Sequence, residues 1–512
     1  MTDTMIITKK NETSLYIDCE PGIMYELADF FCFFVPGYQH MPPFKSKIWD
    51  GKIRLFDLRS STLPVGLYKY VYEFAEARGY NVLTNNSDYY SFPDAADVVD
   101  LESITTFIEQ QTQLTSKGEV INPYDYQLQA ISTCLSDRRK VIISPTASGK
   151  SLIIYLAIRW FIHNIRKPVI IVVPTTSLVE QMYTDFGDYS EFDQLFDVEK
   201  MCHRIYSGQD KKVNKPITIS TWQSIYQQPA AWFQKYGMVV GDEAHNFKAK
   251  SLTTLMNKCT EASYRFGTTG TLDGTKTHKM VLEGLFGPIH RVTTTKALMK
   301  SGQISDLNIK LLLLKYSSEE CAEVSRGKTR MTYPEEIAFI TQHDRRNNFI
   351  SNLALSLEGN TLVLFNLVEK HGRPLFERIK AKVEAKYPGR NTYFVSGNTS
   401  VDIRENIRSI VEKEADAIVV ASLGTFSTGI NIKNLHNIIF ASPSKSQIKI
   451  LQSIGRSLRI ADNGRSAALY DIADDLHWKS RKNHTLGHAA ERIQIYNKEM
   501  FTYKVIEVPL TT

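Results

Sequence analysis

The sequence predicts an α/β protein of two tandem lobes, each built on a parallel sheet, behind a small N-terminal α+β domain. Three observations predict it. The chain has 512 residues, and single cores stop growing near ~250–300 residues, so there is room for two or three. From about residue 120 short β-branched runs alternate with helical segments, and the alternation restarts after residue 305. That is the pattern of βαβ units. Residues 1–115 carry 9 Lys/Arg against 16 Asp/Glu, whereas the remainder carries 52 against 39. Such a shift in charge marks off the first segment.

Taken in order, residues 14–18 read as a strand and 22–33 as a helix. Residues 52–56 alternate polar and apolar, as a half-exposed strand does, and 64–77 form an amphipathic helical pattern. The polar stretch 114–119 reads as a linker. The first lobe then draws its strands from 141–143, 169–173, 218–220 and 238–240. The second draws them from 361–365, 392–395, 417–420 and 437–440. The expected domains are 1–115, 120–303 and 304–512, with the lobe boundary near 300–306.

Composition excludes several classes. No apolar stretch approaches the ~20 residues that span a bilayer, and Lys9 and Lys10 are followed by no apolar run, unlike a secretory signal. The six cysteines are scattered without a C-x-x-C pair, which disfavours a zinc site and fits a reduced, cytoplasmic setting. His477, His484 and His488 have no accompanying carboxylate or thiol set, so they read as exposed helix histidines rather than ligands. The positive balance of the lobes suits a phosphate-binding surface, although a solvated basic face gives the same count.

Six blocks carry the chemistry. The run from Ser144 to Ser151 (SPTASGKS) follows a strand and opens a helix over 152–163, the context of a phosphate-binding loop. Backbone N–H groups of Ala147, Ser148, Gly149 and Lys150, after Thr146, would wrap the β-phosphate of ATP. Lys150 would neutralise β/γ oxygens and Ser151 would take Mg²⁺. Ser144 and Ala147 stand where glycine is usual, and neither removes a donor. Asp242 and Glu243, ending another strand, divide into a Mg²⁺ carboxylate and a base for the attacking water. An acidic pair at a strand end is otherwise an ordinary loop feature. Arg456 and Arg459, three apart on one helix face, suit the developing γ-phosphate charge, or else form a plain surface pair. Gln452 and Gly455 favour the former. Gln127 has a carboxamide fit to read adenine, with Tyr124 or Tyr126 to stack on the base, yet most glutamines are simply exposed.

Together with Val173–Thr176, Gly267–Thr271 and Phe426–Asn431, these blocks resemble the superfamily-2 helicases and translocases of the DExH branch, over residues 120–475. Within that branch the chain is most similar to the phage UvsW type. The likeness also takes in Lys47–Leu55, Ser220–Gln223 and Glu491–Gln494. The resemblance implies two RecA-like lobes with ATP between them and an N-terminal DNA-binding domain. It also implies 3′ to 5′ translocation that remodels branched DNA: fork regression, Holliday-junction migration, and D-loop and R-loop dissociation, in recombination, repair and replication restart. It assigns strand contacts to Thr175, Thr176, Thr221, Trp222 and Gln223 in the first lobe and to Ser396, Gly397, Thr425 and Ser427 in the second. Thr269 and Thr271 match the coupling motif, and Gly429 and Asn431 a segment touching ATP and nucleic acid. His245 would couple the γ-phosphate to Gln452 or Thr269, or else be a helix-start histidine satisfied by backbone.

Residues 44–54 interleave aromatics with Lys45, Lys47, Lys52 and Arg54, a surface able to stack on bases and hold phosphates. Trp49, by its usual burial, is more often a core anchor. The partners implied are branched and single-stranded DNA, RNA–DNA hybrids and single-strand-binding or recombination proteins, with no membrane. The setting implied is the cytoplasm, that of the host cell for a phage-encoded chain. The rival readings are an RNA helicase and a non-catalytic DNA-binding scaffold with a relic ATP site.

Overall fold

The computed structural model describes residues 4–84, 98–206, 211–212, 214–247, 249–272, 274–304, 307–326, 330–429, 432, 434–443 and 467–510. The chain divides into two compact units, one of residues 1–144 and 149–293, the other of residues 294–512 together with 145–148.

The first unit begins with a mixed four-stranded sheet. Its strands are β1 (Thr4–Lys9), β2 (Ser14–Asp18), β5 (Thr62–Pro64) and β6 (Asn81–Thr84), in the order β5-β2-β1-β6. β3 (Cys32–Phe34) and β4 (Lys52–Arg54) pair separately. Helices Pro21–Phe30 and Tyr68–Glu76 pack Ile23, Leu27, Val71 and Phe74 against Met5, Ile7, Leu15 and Ile17, which alternate inward along β1 and β2. The helix expected over 64–77 starts late. Pro64 ends β5, Val65–Leu67 make a 3-10 turn, and the α-helix opens at Tyr68. Gly66 explains the turn: it passes so close to the helix Lys276–Phe286 that a Cβ there would lie 1.9 Å from the Glu283 carbonyl oxygen.

The stretch 114–119 is not a linker. It folds as a hairpin of β7 (Thr115–Ser116) and β8 (Glu119–Val120), turned by Lys117 and Gly118 at positive φ. Leu114 and Thr115 are buried, and the Thr115 hydroxyl donates to the Asp188 carbonyl at 2.6 Å. A polar sequence misled here because the partner of these groups, Asp188, lies about 70 positions away and the strand pairing is made by backbone groups that every residue carries.

The remainder of this unit is a parallel seven-stranded sheet. Its strands are β9 (Arg139–Ile143), β10 (Val169–Val173), β11 (Cys202–Ile205), β12 (Ile217–Thr221), β13 (Met238–Asp242), β14 (Tyr264–Thr269) and β15 (Ile289–Arg291). They lie in the order β11-β12-β10-β13-β14-β9-β15. β10, β12, β13 and β14 are buried throughout, as strands covered on both faces are.

The second unit repeats the plan with β16 (Leu307–Lys315), β17 (Thr361–Phe365), β18 (Thr392–Val395), β19 (Ile418–Ser422), β20 (Asn437–Phe440), β21 (Ala467–Asp475) and β22 (Tyr503–Pro509). Their order is β18-β19-β17-β20-β21-β16-β22, the same permutation as in the first. The predicted α/β architecture is the one observed, and the four strands read from sequence in each lobe are all present.

Candidate ATP and nucleic-acid site

Register brings the first-lobe motifs together. β13, β14 and β9 are neighbours, with Asp242 opposite Thr268 and Thr269 opposite Ile143. Their C-terminal ends therefore present Asp242–Glu243, Thr268–Thr269 and the start of the 144–149 loop side by side. Open α/β sheets bind ligands at this end. The Ser144 N–H donates to the Thr269 carbonyl at 3.0 Å, tying the loop to the end of β14.

The loop bends through two left-handed residues, Ala147 at φ 68° and Gly149 at φ 75°. Ser148 closes it by donating its hydroxyl to the Pro145 carbonyl at 2.6 Å. Helix Lys150–Ile165 follows, and Lys150 Nζ donates back to the Ser144 carbonyl at 3.3 Å. Ser151 Oγ lies 2.8 Å from the Tyr189 hydroxyl. Gln127 is buried with its amide nitrogen over Gly149, where a Cβ would meet it at 2.3 Å. Its Oε1 accepts from the Tyr124 N–H at 2.9 Å, and Tyr124 and Tyr126 stack with centroids 5.6 Å apart.

Asp242 is buried, and its carboxyl is pushed above its ordinary value by burial and by the neighbouring Glu243, with Lys150 and the Thr268 hydroxyl pulling the other way. Its Oδ1 accepts from Thr268 Oγ1 at 2.7 Å and from the Glu243 N–H at 2.9 Å. Glu243 sits at φ 51°, left-handed and unusual for a non-glycine. His245 Nδ1 lies 3.2 Å from Glu243 Oε2 and 3.1 Å from Thr269 Oγ1. The Thr269 hydroxyl spends its proton on the Thr271 carbonyl at 2.9 Å, so His245 is the donor to it. Of the two partners named for His245, Thr269 is in contact, and Gln452 lies outside the described residues.

The first-lobe residues expected from sequence to contact the strand cluster on adjacent strand ends. Val173 and Thr221 are register partners. Thr175 caps helix Thr176–Tyr189. Thr221 lies 2.8 Å from Ser224 Oγ, exposed Gln223 donates to the Pro174 carbonyl at 3.3 Å, and Trp222 packs edge-on to Tyr226. In the second lobe β18 and β19 bring Ser396 and Thr425 to neighbouring ends. Ser396 is buried, with its N–H on Thr399 Oγ1, Gly397 is exposed, and Thr425 lies 2.6 Å from Ser422 Oγ. Gly429 ends helix Leu423–Gly429. The side chain of Ser427, and Asn431, Gln452, Arg456 and Arg459, lie outside the described residues.

In the N-terminal domain, Lys45 and Lys47 are exposed, and Lys52 Nζ lies 4.9 Å from the Phe34 ring. Arg54 is paired with Asp50, whose carboxyl is pushed down to about 2 by that bond first and by the Lys52 N–H next. Trp49 is half-buried and donates its indole N–H to the Lys52 carbonyl at 2.9 Å. Gly51 makes room for the Tyr38 ring. Sequence reasoning missed Thr268, Tyr189 and His278. Thr268 sat inside a motif already named, whereas nothing local marked the other two.

Asp242 and Ser151 present hard oxygens, and the raised carboxyl of Asp242 is one whose charge the surrounding protein leaves incompletely compensated. Both features fit Mg²⁺.

Three segments match known families: the N-terminal domain of the DNA helicase UvsW over residues 7–85, the res subunit of type III restriction enzymes over 120–274, and the helicase conserved C-terminal domain over 345–461. The chain is 34% identical over 513 residues to the ATP-dependent DNA helicase uvsW of Enterobacteria phage T4, covering 96% of this chain and 97% of that one. The chain belongs to the UvsW-type helicases. The crystal structure of T4 UvsW matches 99% of this chain and all of that one at 32% identity, with a TM-score of 0.51. A DNA 3′-5′ translocase XPB2 of Sulfurisphaera tokodaii is 22% identical over 68% of this chain and 80% of its own length. As a UvsW-type superfamily-2 helicase the chain uses ATP. Among the described residues no helix is long and apolar enough to cross a membrane.

Proposed function

We propose that this helicase is a DNA translocase that remodels branched DNA in recombination, repair and replication restart, moving 3′ to 5′ in the host cytoplasm of a phage-encoded chain. The observation that supports it most is a UvsW-type N-terminal domain carried on the same compact unit as the Lys150, Asp242–Glu243 and Thr269 cluster.

In this reading the 146–149 N–H groups and Lys150 hold the phosphates, while Tyr124 and Gln127 meet the adenine. Asp242 and Ser151 hold Mg²⁺, which when bound neutralises β/γ charge. Glu243 takes the proton of the attacking water, aimed by His245, and the Thr269 contact reports the phosphate state. Arg456 and Arg459 stabilise the transition state. Thr175, Thr176, Thr221, Trp222 and Gln223, with Ser396, Gly397, Thr425 and Ser427, contact phosphates, which positions without reading sequence. Lys45, Lys47 and Lys52 meet the branch. Arg54 contributes less, because Asp50 already holds it. Single-strand-binding or recombination proteins would be its partners.

ATP turnover measured with four-way junctions, forks, D-loops, R-loops and single-stranded RNA tests the reading. Strongest stimulation by branched DNA is expected. Stimulation by RNA alone would make it an RNA helicase, and no turnover with any nucleic acid a scaffold. Lys45→Ala, Lys47→Ala and Lys52→Ala should each lower the salt slope of junction binding by roughly one.

A further inference from the structure

Helix Lys276–Phe286 faces two ways. Towards the N-terminal domain, Met280 is buried in that domain's own core, the Tyr70 hydroxyl donates to Glu283 Oε2 at 2.6 Å, and Thr277 Oγ1 donates to the Phe34 carbonyl at 3.3 Å. Gly284 receives Pro64 and Leu67. Towards the sheet, Phe286 lies across Gly241 and Gly267, where a Cβ would come within 2.7 and 2.8 Å of its ring. One residue of this helix reaches the catalytic turn itself. His278, buried, holds Nε2 3.1 Å from the His245 carbonyl oxygen. That oxygen can only accept, so the ring carries a proton at Nε2.

The turn it holds is under strain. Glu243 is left-handed at φ 51°, a conformation that crowds the Cβ of an L-residue and persists only where the surroundings enforce it. Asp242 Oδ1 fixes the Glu243 N–H, and Asn246 fixes the Glu243 carbonyl through its N–H at 3.0 Å and its side chain at 3.2 Å. From β14, Thr268 and Thr269 hold the Asp242 and His245 side chains, and His278 holds the backbone of the turn at the His245 carbonyl. His278 comes from the helix on which the N-terminal domain rides.

We propose that His278 is a positioning residue for ATP hydrolysis: it anchors the turn that aims Glu243, and through its helix links the N-terminal domain to that turn. The idea rests on Glu243 being the base. When DNA engages the N-terminal domain, any shift of the helix moves the His245 carbonyl and with it the Glu243 carboxylate. Binding of ATP, which the 144–151 loop performs, is untouched.

The test uses the full chain and measures kcat and KM for ATP with and without a four-way junction. His278→Ala should cut junction-stimulated kcat by at least about tenfold, as a small misplacement of a catalytic group does, and bring the stimulation ratio close to one. KM should stay within about twofold, because the ground-state contacts remain. His278→Gln, which offers an N–H donor at similar reach, should restore most of the loss. Tyr70→Phe, remote from the ATP site, should lower the stimulation ratio and leave basal kcat unchanged. A wild-type stimulation ratio in His278→Ala overturns the proposal. So does a loss that Gln does not rescue, or one matched by an equal rise in KM. Glu243→Gln, measured alongside, keeps the two ideas apart. If it turns over normally the base is misassigned, whereas an inactive Glu243→Gln beside an unimpaired His278→Ala removes only the role of His278.

Discussion

The two lobes share one strand permutation and treat their buried carboxylates in opposite ways. β13 and β20 hold equivalent places, as do β14 with β21 and β9 with β16. In the first lobe Asp242 is met by a hydroxyl and a backbone N–H, and its carboxyl is raised by burial. In the second lobe Asp474 is fully buried against Arg346, bonded at 2.7 and 3.0 Å, and accepts from the Tyr316 hydroxyl at 2.7 Å. Asp471 meets Arg492 and Tyr496, each at 2.8 Å. Asp475 meets Lys315 at 2.7 Å, and its carboxyl is lowered: burial would raise it, but Lys315 and His477 outweigh that. The same frame thus makes a scaffold where carboxylates carry their own cations. It makes the proposed ATP site where the counter-charge is left for a ligand to bring.

The largest expected effects separate these two uses. Asp242→Asn should reduce ATP hydrolysis by a thousandfold or more, roughly the several kcal/mol a positioned metal supplies. Its urea unfolding midpoint should hold or rise, since Asn keeps the acceptor for Thr268 and removes a penalised charge. Asp474→Asn should do the reverse. Arg346 would be left buried without its counter-ion, at a cost of about 3–5 kcal/mol in the unfolding of that lobe. If the two variants unfold alike, the contrast between the lobes is wrong.

The docking of the N-terminal domain follows the second lobe's rule. Glu12 pairs with Arg139, almost wholly buried at the start of β9, which also donates to the Glu12 carbonyl at 2.7 Å. Burial raises the Glu12 carboxyl, and Arg139 with Lys9 lowers it further than burial lifts it. Glu12→Gln should cost about 2 kcal/mol, below the ~3–5 of a fully buried pair because Glu12 keeps some contact with water. A depressed carboxyl contributes stability above its unfolded value, and that contribution is lost as pH falls through the lower folded value. Limited proteolysis near residue 120 should therefore accelerate at pH below about 4 in the wild type, and Glu12→Gln should show the faster cleavage already at neutral pH. Equal cleavage of both chains at neutral pH would remove this pair from the docking.

The candidate site could be read from sequence where its proposed chemistry is local, and the first-lobe motifs do meet at neighbouring strand ends. A phosphate loop is a run of backbone N–H groups, so Lys150 and its neighbours are written in one stretch, as are Asp242 and Glu243. The alternation of apolar strands and helices gave both sheets for the same reason: period and spacing are local. What the sequence hid is long-range. Arg346 and Asp474 are 128 positions apart, and nothing near either one announces the other. His278 lies in no motif, and its meaning comes only from the carbonyl it faces. Gly66 looked like a helix residue until Glu283 arrived beside it. The 115–120 hairpin was misread because polar side chains say little about backbone pairing.

A smaller pH effect sharpens the same contrast. A raised carboxyl such as Asp242 favours the folded state most when protonated, so its penalty grows as pH climbs from the unfolded value near ~4 through the folded one. Asp475, being lowered, contributes above that unfolded value and loses its contribution in acid. The stability gained by Asp242→Asn over wild type, measured with EDTA present, should therefore widen as pH rises above about 4. Asp475→Asn should show its deficit at neutral pH and lose it in acid. Parallel curves for the two variants would mean that their carboxylates are treated alike.

The smallest effect concerns the loops after β9 and β16. After β16 the chain enters helix Ser318–Ser325 through a capping box, Ser317 with Glu320, and no residue from 316 to 325 has positive φ. After β9 it passes through Ala147 at φ 68°, where the family pattern usually has glycine. An L-residue held there costs roughly 1–2 kcal/mol. Ala147→Gly removes that strain but gives the unfolded chain more freedom, worth about 0.4–1 kcal/mol against folding. The net gain should be under about 1 kcal/mol, no more than ~4 °C in melting. KM for ATP should barely move, because the donor at 147 is a backbone N–H in either residue. A clear fall in stability would mean that packing of the Ala147 methyl outweighs the strain of its left-handed backbone, and that strain does not set the stability difference between the loops after β9 and β16.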